Sequence, residues 1–295
     1  MGGSILGRLE KKRALVVGGG QSVEGPAIGI GRAVAMKYAR EGATVMVADR
    51  DIEAAQRTVD CIKKEGFEAY GAACDITRAG DCRTLVETIV GALGGVDVLH
   101  NNVGVARVDG KSDQDILMLE EDAWQGIMDT NLKGMWLMCK AAIPQMREQP
   151  EGGSIVNVSS ISSVINGRYD MFAAYRMSKA GVNILTSMIA IQNGRYNIRA
   201  NTILVGPVET SALHLGARQR GEDVEAARAR MVLDMPLSRR PGVGWDIANA
   251  SAYLASDEAE FVTGAQLAVD GGLTAGLVPR PRFWDHVDES KDGAS

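Results

Sequence analysis

The sequence predicts an α/β fold: a doubly wound parallel sheet of seven strands with helices on both faces. Short, β-branched apolar runs alternate with helix-length amphipathic segments along the chain. The first run passes through a glycine turn into a helix, the opening unit of such a sheet. Neither a linker nor an internal repeat interrupts the alternation, so one domain over residues 1–295 is expected.

Arg13-Ala14-Leu15-Val16-Val17 reads as a buried strand. It runs into Gly18-Gly19-Gly20 and, beyond a loop, into Ile28-Gly29-Ile30-Gly31-Arg32, where helical periodicity continues through Tyr38. Strand, glycine turn and helix N-terminus together aim backbone amides and a helix dipole at a pyrophosphate. Glycine is required there because a Cβ would hold the chain away from the phosphates. A second strand, 44–48, ends at Asp49, whose carboxylate can accept hydrogen bonds from adenosine ribose hydroxyls. Asp51 is then free to cap the helix predicted over 52–65. A strand at 68–74, a helix at 78–93 and a strand at 96–100 follow, then one long helix over 120–147 and a strand at 154–159. The helix carrying Tyr175 and Lys179 runs to 193 and leads to a strand at 198–204. Residues 205–241 are less regular and rich in Arg, Met and Glu, as expected of a small helical lid. A helix at 243–255 and a strand at 266–270 close the fold, and the polar tail, 279–295, is expected to be partly ordered at best.

The candidate chemistry lies in the second half. Tyr175 and Lys179 share a helix face at i and i+4, Ser160 ends an apolar strand, and Asn131 precedes both. A free tyrosine has a pKa near ~10 and is a poor base at neutral pH. Lowering it by about three units takes roughly 4 kcal/mol of phenolate stabilisation. An ammonium about 4 Å away supplies roughly that much at an effective dielectric of about 20.

Bulk properties exclude other classes. The chain is 45% hydrophobic and 23% charged with a net charge of −5, so neither a nucleic-acid footprint nor a patch for anionic membranes is indicated. Cys61, Cys74, Cys82 and Cys139 lack metal-ligand spacing, and His100, His214 and His286 are scattered, so no metal is expected. The opening Met1-Gly2-Gly3-Ser4-Ile5-Leu6-Gly7 is not a secretory signal, and no apolar stretch is long enough to span a bilayer. These features predict a cytoplasmic protein with reduced thiols.

Several stretches resemble, in family order, the short-chain dehydrogenases/reductases over residues 9–277. They are Gly29-Ile30-Gly31, Cys74-Asp75-Ile76, Asn101-Asn102-Val103-Gly104, Asn131-Leu132-Lys133-Gly134, and the run from Gly153 to Ser160. Tyr175-Arg176-Met177-Ser178-Lys179, Gly206-Pro207-Val208-Glu209-Thr210 and Val269-Asp270-Gly271-Gly272 complete the set. The resemblance implies a Rossmann-type domain and an oxidoreductase that interconverts a secondary alcohol and a ketone. It implies Tyr175 as general acid/base, Lys179 as its phenolate stabiliser and a ligand of the nicotinamide ribose, and Ser160 on the substrate oxygen. Asn131 would anchor a water linking Lys179 to solvent, or brace a helix kink, or both.

For the cofactor, Gly18, Gly29 and the Ile30 amide would hold the pyrophosphate, Asp75 and Ile76 the adenine, and Asn101 the adenosine-side ribose region, with Gly104 in the same motif. Tyr175, Lys179, Val208 and Thr210 would meet the nicotinamide side. Asp49 favours NAD over NADP because a 2′-phosphate would face a carboxylate, although Arg50 could pair with that phosphate. Apolar faces on the 120–147 and 175–193 helices imply oligomerisation, and the resemblance implies a homotetramer formed through them. Ser162, Val164, 168–172 and 213–235 would line an apolar pocket for a cyclic, aromatic or terpenoid-like substrate. The alternatives are an NADP-dependent ketoreductase of 3-oxoacyl or polyketide-like substrates, a non-catalytic dinucleotide sensor, and a sugar-nucleotide epimerase or dehydratase, for which the C-terminal region is short.

Three features depart from the family pattern. An inserted stretch, 19–28, separates Gly18 from Gly29; Gln21 or Ser22 could donate to the cofactor from it, whereas Glu24 should face water. The loop from Ser160 to Tyr175 is about two residues longer than is typical of the family, so Ser162 matches the usual serine–tyrosine spacing while Ser160 matches the strand end. Val205 stands where a proline commonly precedes Gly206. Enoyl-thioester reductases also alter the glycine turn, but their tyrosine and lysine are more widely spaced than Tyr175 and Lys179.

Overall fold

Side chains of the central strand β1 (Arg13–Val17) alternate between two apolar layers: Ala14 and Val16 enter one, Leu15 and Val17 the other. The structure, a computed structural model, describes residues 7–165, 172–219, 221–233, 235–237 and 239–276. β2 (Thr44–Asp49) and β3 (Ala69–Ala73) flank β1 on one side. On the other lie β4 (Val98–Asn101), β5 (Gly153–Ser160), β6 (Ile198–Val205) and β7 (Gln266–Val269). The order is β7-β6-β5-β4-β1-β2-β3, all parallel, as the sequence predicts. Parallel pairing gathers every strand's C-terminus on one edge, and the winding reverses between β1 and β4. The Val17↔Asn101 register therefore sets Gly18 beside Asn102 at the reversal.

Nine helices are described: α1 (Ile30–Arg40), α2 (Ile52–Lys64), α3 (Ala79–Leu93), α4 (Glu121–Met128), α5 (Gly134–Glu148), α6 (Ala173–Asn193), α7 (Ser211–Gln219), α8 (Val224–Val232) and α9 (Gly244–Ala255). α1, α2 and α9 cover the sheet face that carries Val16, Val45 and Val47. α3, α5 and α6 cover the face that carries Leu15, Met46 and Leu99. Asp51 caps α2 by accepting from the Glu53 amide, which leaves Asp49 for other work.

The long helix expected over 120–147 is interrupted. α4 and α5 are joined by a π turn, Asp129–Lys133. Asn131, buried in that turn, brackets Val105 with both ends of its amide and also donates to Ser178. The excursion over 205–241 contains α7 and α8, and the short strand Val208–Glu209 pairs with Gly242–Val243. The tail 279–295 and residues 168–171 of the expected substrate lining lie outside the described residues. Among the described residues no helix is long and apolar enough to cross a membrane, and no group of three His, Cys, Asp or Glu could hold a metal ion. All four cysteines are free thiols.

Candidate active site

Two glycines shape the phosphate turn. Gly18 has φ +73°, and a Cβ on Gly31 would lie 2.0 Å from the Gly18 carbonyl oxygen. That carbonyl accepts from the Asn102 side chain, through Nδ2, at 2.9 Å, which ties the end of β4 to the turn. The inserted residues form a braced loop rather than a loose one. Gln21, 7% exposed, accepts from the Gly29 amide at 2.8 Å and donates to the carbonyls of Val23 (3.1 Å) and Ala27 (3.4 Å). Its side chain is thus committed within the loop. Glu24 does not simply face water: it forms a two-point ion pair with the buried Arg32 and meets Arg57 at 3.3 Å. Arg32 in turn reaches Thr58, whose hydroxyl donates to the Gly19 carbonyl. At the far side the Ser211 hydroxyl donates to the Ala27 carbonyl at 2.5 Å, joining the loop to the first turn of α7.

Asp49 ends β2 beside this turn, accepting from the Gly20 amide at 3.1 Å and the Asp51 amide at 3.2 Å. Asp75 and Ile76 follow β3. Thr77 donates twice to the Asp75 carboxylate and, chiefly through its hydroxyl, holds it below its ordinary pKa; Ile76 is buried against Gly134. Asn101 requires a correction. Its side chain points into the core, donating to Asn157 at 2.9 Å and to the Cys139 sulfur at 3.4 Å, because the strand register sets Asn101 opposite Asn157 on the α5 side. The next residue, Asn102, faces the cleft instead. Val208 and Thr210 separate as well. Thr210 lines the cleft and accepts from the Leu213 amide, whereas Val208 lines a neighbouring cavity of about 550 Å³ with Met235 and Ile247.

Ser160, Tyr175 and Lys179 converge where β5 ends against α6. The Ser160 hydroxyl accepts from the Ser162 amide at 3.1 Å and lies close enough to the Tyr175 phenol to lower its pKa. Ser162 contributes its backbone amide here. Lys179 is 2% exposed; its ammonium donates to the Val158 carbonyl at 2.9 Å and the Val103 carbonyl at 3.4 Å, and lies 5.8 Å from the centre of the Tyr175 ring. A Cβ on Gly104 would come within 2.9 Å of that ammonium, so glycine gives Lys179 its room. Ser159 fixes the helix from below by donating to the Lys179 carbonyl at 2.9 Å. Asn131 braces the π turn, its side chain bonding Val105 and Ser178.

The electrostatics reverse one expectation. Burial pulls the Lys179 ammonium down to about 8. Burial also pushes the Tyr175 phenol up, with the Ser160 hydrogen bond acting in the opposite sense. The helical spacing implied an acidified phenol; burial is the leading cause of both shifts and acts against the charged form of each group. Gly20, Gln21, Gly29, Ile30, Gly31, Asn102, Gly104, Tyr175, Lys179 and Thr210 line one cleft of about 370 Å³. The positions where a Cβ would clash and the amides at the start of α1 fit a dinucleotide diphosphate.

A family model described as enoyl-(acyl carrier protein) reductase matches residues 25–274. The 7alpha-hydroxysteroid dehydrogenase of Clostridium sardiniense is 37% identical over 269 residues, covering 91% of this chain and 95% of that protein. The chain belongs to the short-chain dehydrogenase/reductase family. The 3beta-hydroxysteroid dehydrogenase 1 of Eggerthella lenta is 34% identical and covers 85% of this chain and 92% of its own length. A crystal structure of a Burkholderia xenovorans protein assigned to the same family superposes with a TM-score of 0.84 at 35% identity, over 92% of this chain and 99% of that one. As a family member the protein is an oxidoreductase of the alcohol dehydrogenase/reductase type that binds a nicotinamide dinucleotide. Sequence reasoning passed over Asn102, Arg32 and Ser211. Only Asn102 carried a signal, as the second residue of the Asn101-Asn102 pair.

Proposed function

We propose that the protein interconverts a cyclic, aromatic or terpenoid-like secondary alcohol and its ketone, with NAD as the preferred dinucleotide. The meeting of Ser160, Tyr175 and Lys179 beside the glycine turn carries this reading. When bound, the nicotinamide supplies or accepts the hydride. Tyr175 moves the proton at the substrate oxygen through its phenolic oxygen, and Ser160 donates a hydrogen bond to that oxygen as charge develops. Lys179 stabilises the phenolate and binds the nicotinamide ribose. Asn131 sets the helix kink and, through its main chain, a water that leads the proton outward.

Gly18, Gly29 and the Ile30 amide hold the diphosphate, and Gln21 acts by shaping the loop. Asp49 takes the adenosine ribose, and its carboxylate next to the turn disfavours a 2′-phosphate. Asp75 and Ile76 border the adenine, with Asn102 and Gly104 toward the ribose in place of the Asn101 side chain. Thr210 and the Val208 backbone face the nicotinamide carboxamide. The chain works as one catalytic domain whose lid is formed by α7 and α8. Two relatives named for hydroxysteroids support a ring-bearing substrate. Exposed Ile184, Met188 and Ile191 on α6 and Trp136 on α5 support assembly into a homotetramer. Four free thiols fit a reducing cytoplasm.

The test is a steady-state screen of cyclic and polycyclic alcohols and ketones with NAD(H) and NADP(H), followed through absorbance of the reduced nicotinamide. Turnover confined to enoyl thioesters, or to linear 3-oxoacyl substrates with NADPH, would replace this reading. A catalytically silent protein that still binds dinucleotide would be a sensor.

A further inference from the structure

We propose that Asp113 is the positioning residue for Tyr175, capping the catalytic helix from a separate loop and fixing where the phenol meets Ser160. The proposal rests on Tyr175 being the proton-transferring group.

An α-helix leaves its first N–H groups without intrahelical partners, and these usually find a local side-chain cap. α6 has none. The residue before it, Phe172, has no cap to offer and sits at φ +75°, ψ 40°, a left-handed conformation that bulky side chains rarely adopt. The caps come instead from more than fifty residues upstream in the chain. The Ala173 amide donates to the Gln114 carbonyl at 3.1 Å. The Ala174 amide donates to Asp113 Oδ1 at 3.2 Å, and the Tyr175 amide to Asp113 Oδ2 at 2.7 Å. Arg176 then makes the first regular bond, to the Phe172 carbonyl.

Asp113 is fully buried. Its own amide donates to the Ala106 carbonyl at 2.9 Å, and Oδ1 also accepts from the Gln114 amide at 3.0 Å. A fully buried carboxylate is costly unless its oxygens are satisfied. Here they are satisfied by amides, two of them from the first turn of α6, where the helix dipole also favours a negative charge. The shortest of these bonds is to the backbone of Tyr175 itself. Its position therefore depends on a fixed acceptor outside α6, and a shift of about 1 Å in a reacting group can cost about 100-fold in rate.

The test uses Asp113→Ala and Asp113→Asn in the full chain, with Tyr175→Phe as control. Asparagine keeps one acceptor oxygen but turns an NH₂ toward the other amide, so it should rescue in part. In the alanine variant kcat should fall about tenfold or more. Its KM for dinucleotide should stay within about threefold, and the solvent deuterium isotope effect on kcat should rise as proton transfer becomes slower. Asparagine should fall between alanine and the parent. In the unmodified enzyme the Ala174 and Tyr175 amides should exchange with solvent as slowly as the helix interior, a reading that needs no variant to fold. Rapid exchange of those amides would overturn the proposal. So would folded variants with parental kcat and isotope effect, or parallel losses of kcat, dinucleotide affinity and melting temperature with no change in isotope effect. If Tyr175→Phe is inactive while the Asp113 variants are unaffected, this inference alone fails; if Tyr175→Phe stays active, the acid/base assignment itself fails.

Discussion

Replacing Lys179 with methionine should stabilise the dinucleotide-free protein at neutral pH while removing the cation that serves Tyr175. The ammonium is buried, and its pKa falls from 10.5 to about 8 by desolvation. That fall corresponds to roughly 3 kcal/mol of disfavoured charge carried by the folded state at pH 7. Between about pH 8 and 10.5 the unfolded chain holds more protons at this group than the folded chain, so the parent gains stability as pH rises through that window. Methionine fills much the same volume and removes the titration, but it leaves the Val158 carbonyl, now bonded at 2.9 Å, and the Val103 carbonyl, bonded weakly at 3.4 Å, without this donor. That loss costs about 1 kcal/mol. The variant should therefore be more stable by about 2 kcal/mol at pH 7 and less stable by about 0.5–1 kcal/mol near pH 10.5. Urea unfolding of both proteins across pH 7–10.5 measures the crossing, and the comparison cancels every other titrating group. A difference that does not change with pH, or a variant destabilised at pH 7, would refute the reasoning.

Tyr175→Phe removes the phenolic oxygen proposed to move the proton, and kcat should fall by at least about 1,000-fold while the dinucleotide dissociation constant changes by less than about threefold. Fluorescence titration beside steady-state kinetics separates the two. Asp49→Ala removes a carboxylate at the end of β2 and should narrow the NAD over NADP preference, measured as the ratio of kcat/KM values; equal efficiency in the parent would sink the argument. Arg32→Met strips Glu24 of its two-point partner, and since Glu24 is half exposed the dinucleotide should bind only about two- to fivefold more weakly. Adding Glu24→Gln should restore the affinity, and a double variant as weak as Arg32→Met would show that the charge of Glu24 does not matter.

What the sequence disclosed and what it withheld divide along physical lines. The inner strands, buried on both faces, read as continuous apolar runs, whereas the half-exposed edge strands β3 and β7 were legible from their place in the alternation, all to within a residue or two. Tyr175 and Lys179 were legible because one helix period places them together. Asn101 and Asn102 share the same chemistry, and which one turns toward the cleft depends on where the pleat of β4 ends. The partners of Asn131 lie 26 and 47 positions away, and those of Asp113 as far as 62, distances over which no periodicity carries information. The direction of the Tyr175 and Lys179 shifts was hidden for a related reason: spacing reports which charges are neighbours, but desolvation, the leading cause of both shifts, belongs to the assembled core.

The inserted loop shows how a departure from a family pattern can be accommodated without loss of the site. A longer connection between Gly18 and Gly29 would add freedom where the diphosphate needs fixed amides. Gln21 counters this by closing the loop on itself, taking the Gly29 amide and two loop carbonyls. The amides left to meet phosphate then begin at Ile30, the first residue of α1. An acidic residue in such a loop would repel the ligand. The Arg32 guanidinium holds the Glu24 carboxyl below its ordinary pKa and balances its charge, while Arg57 adds a second cation. Ser211 then ties the loop to α7, so the phosphate turn and the start of the lid are one connected structure. The insertion thus works as an extra wall of the cleft, and its bracing residues, Gln21, Arg32 and Ser211, should govern how tightly the dinucleotide is held rather than how fast hydride and proton move.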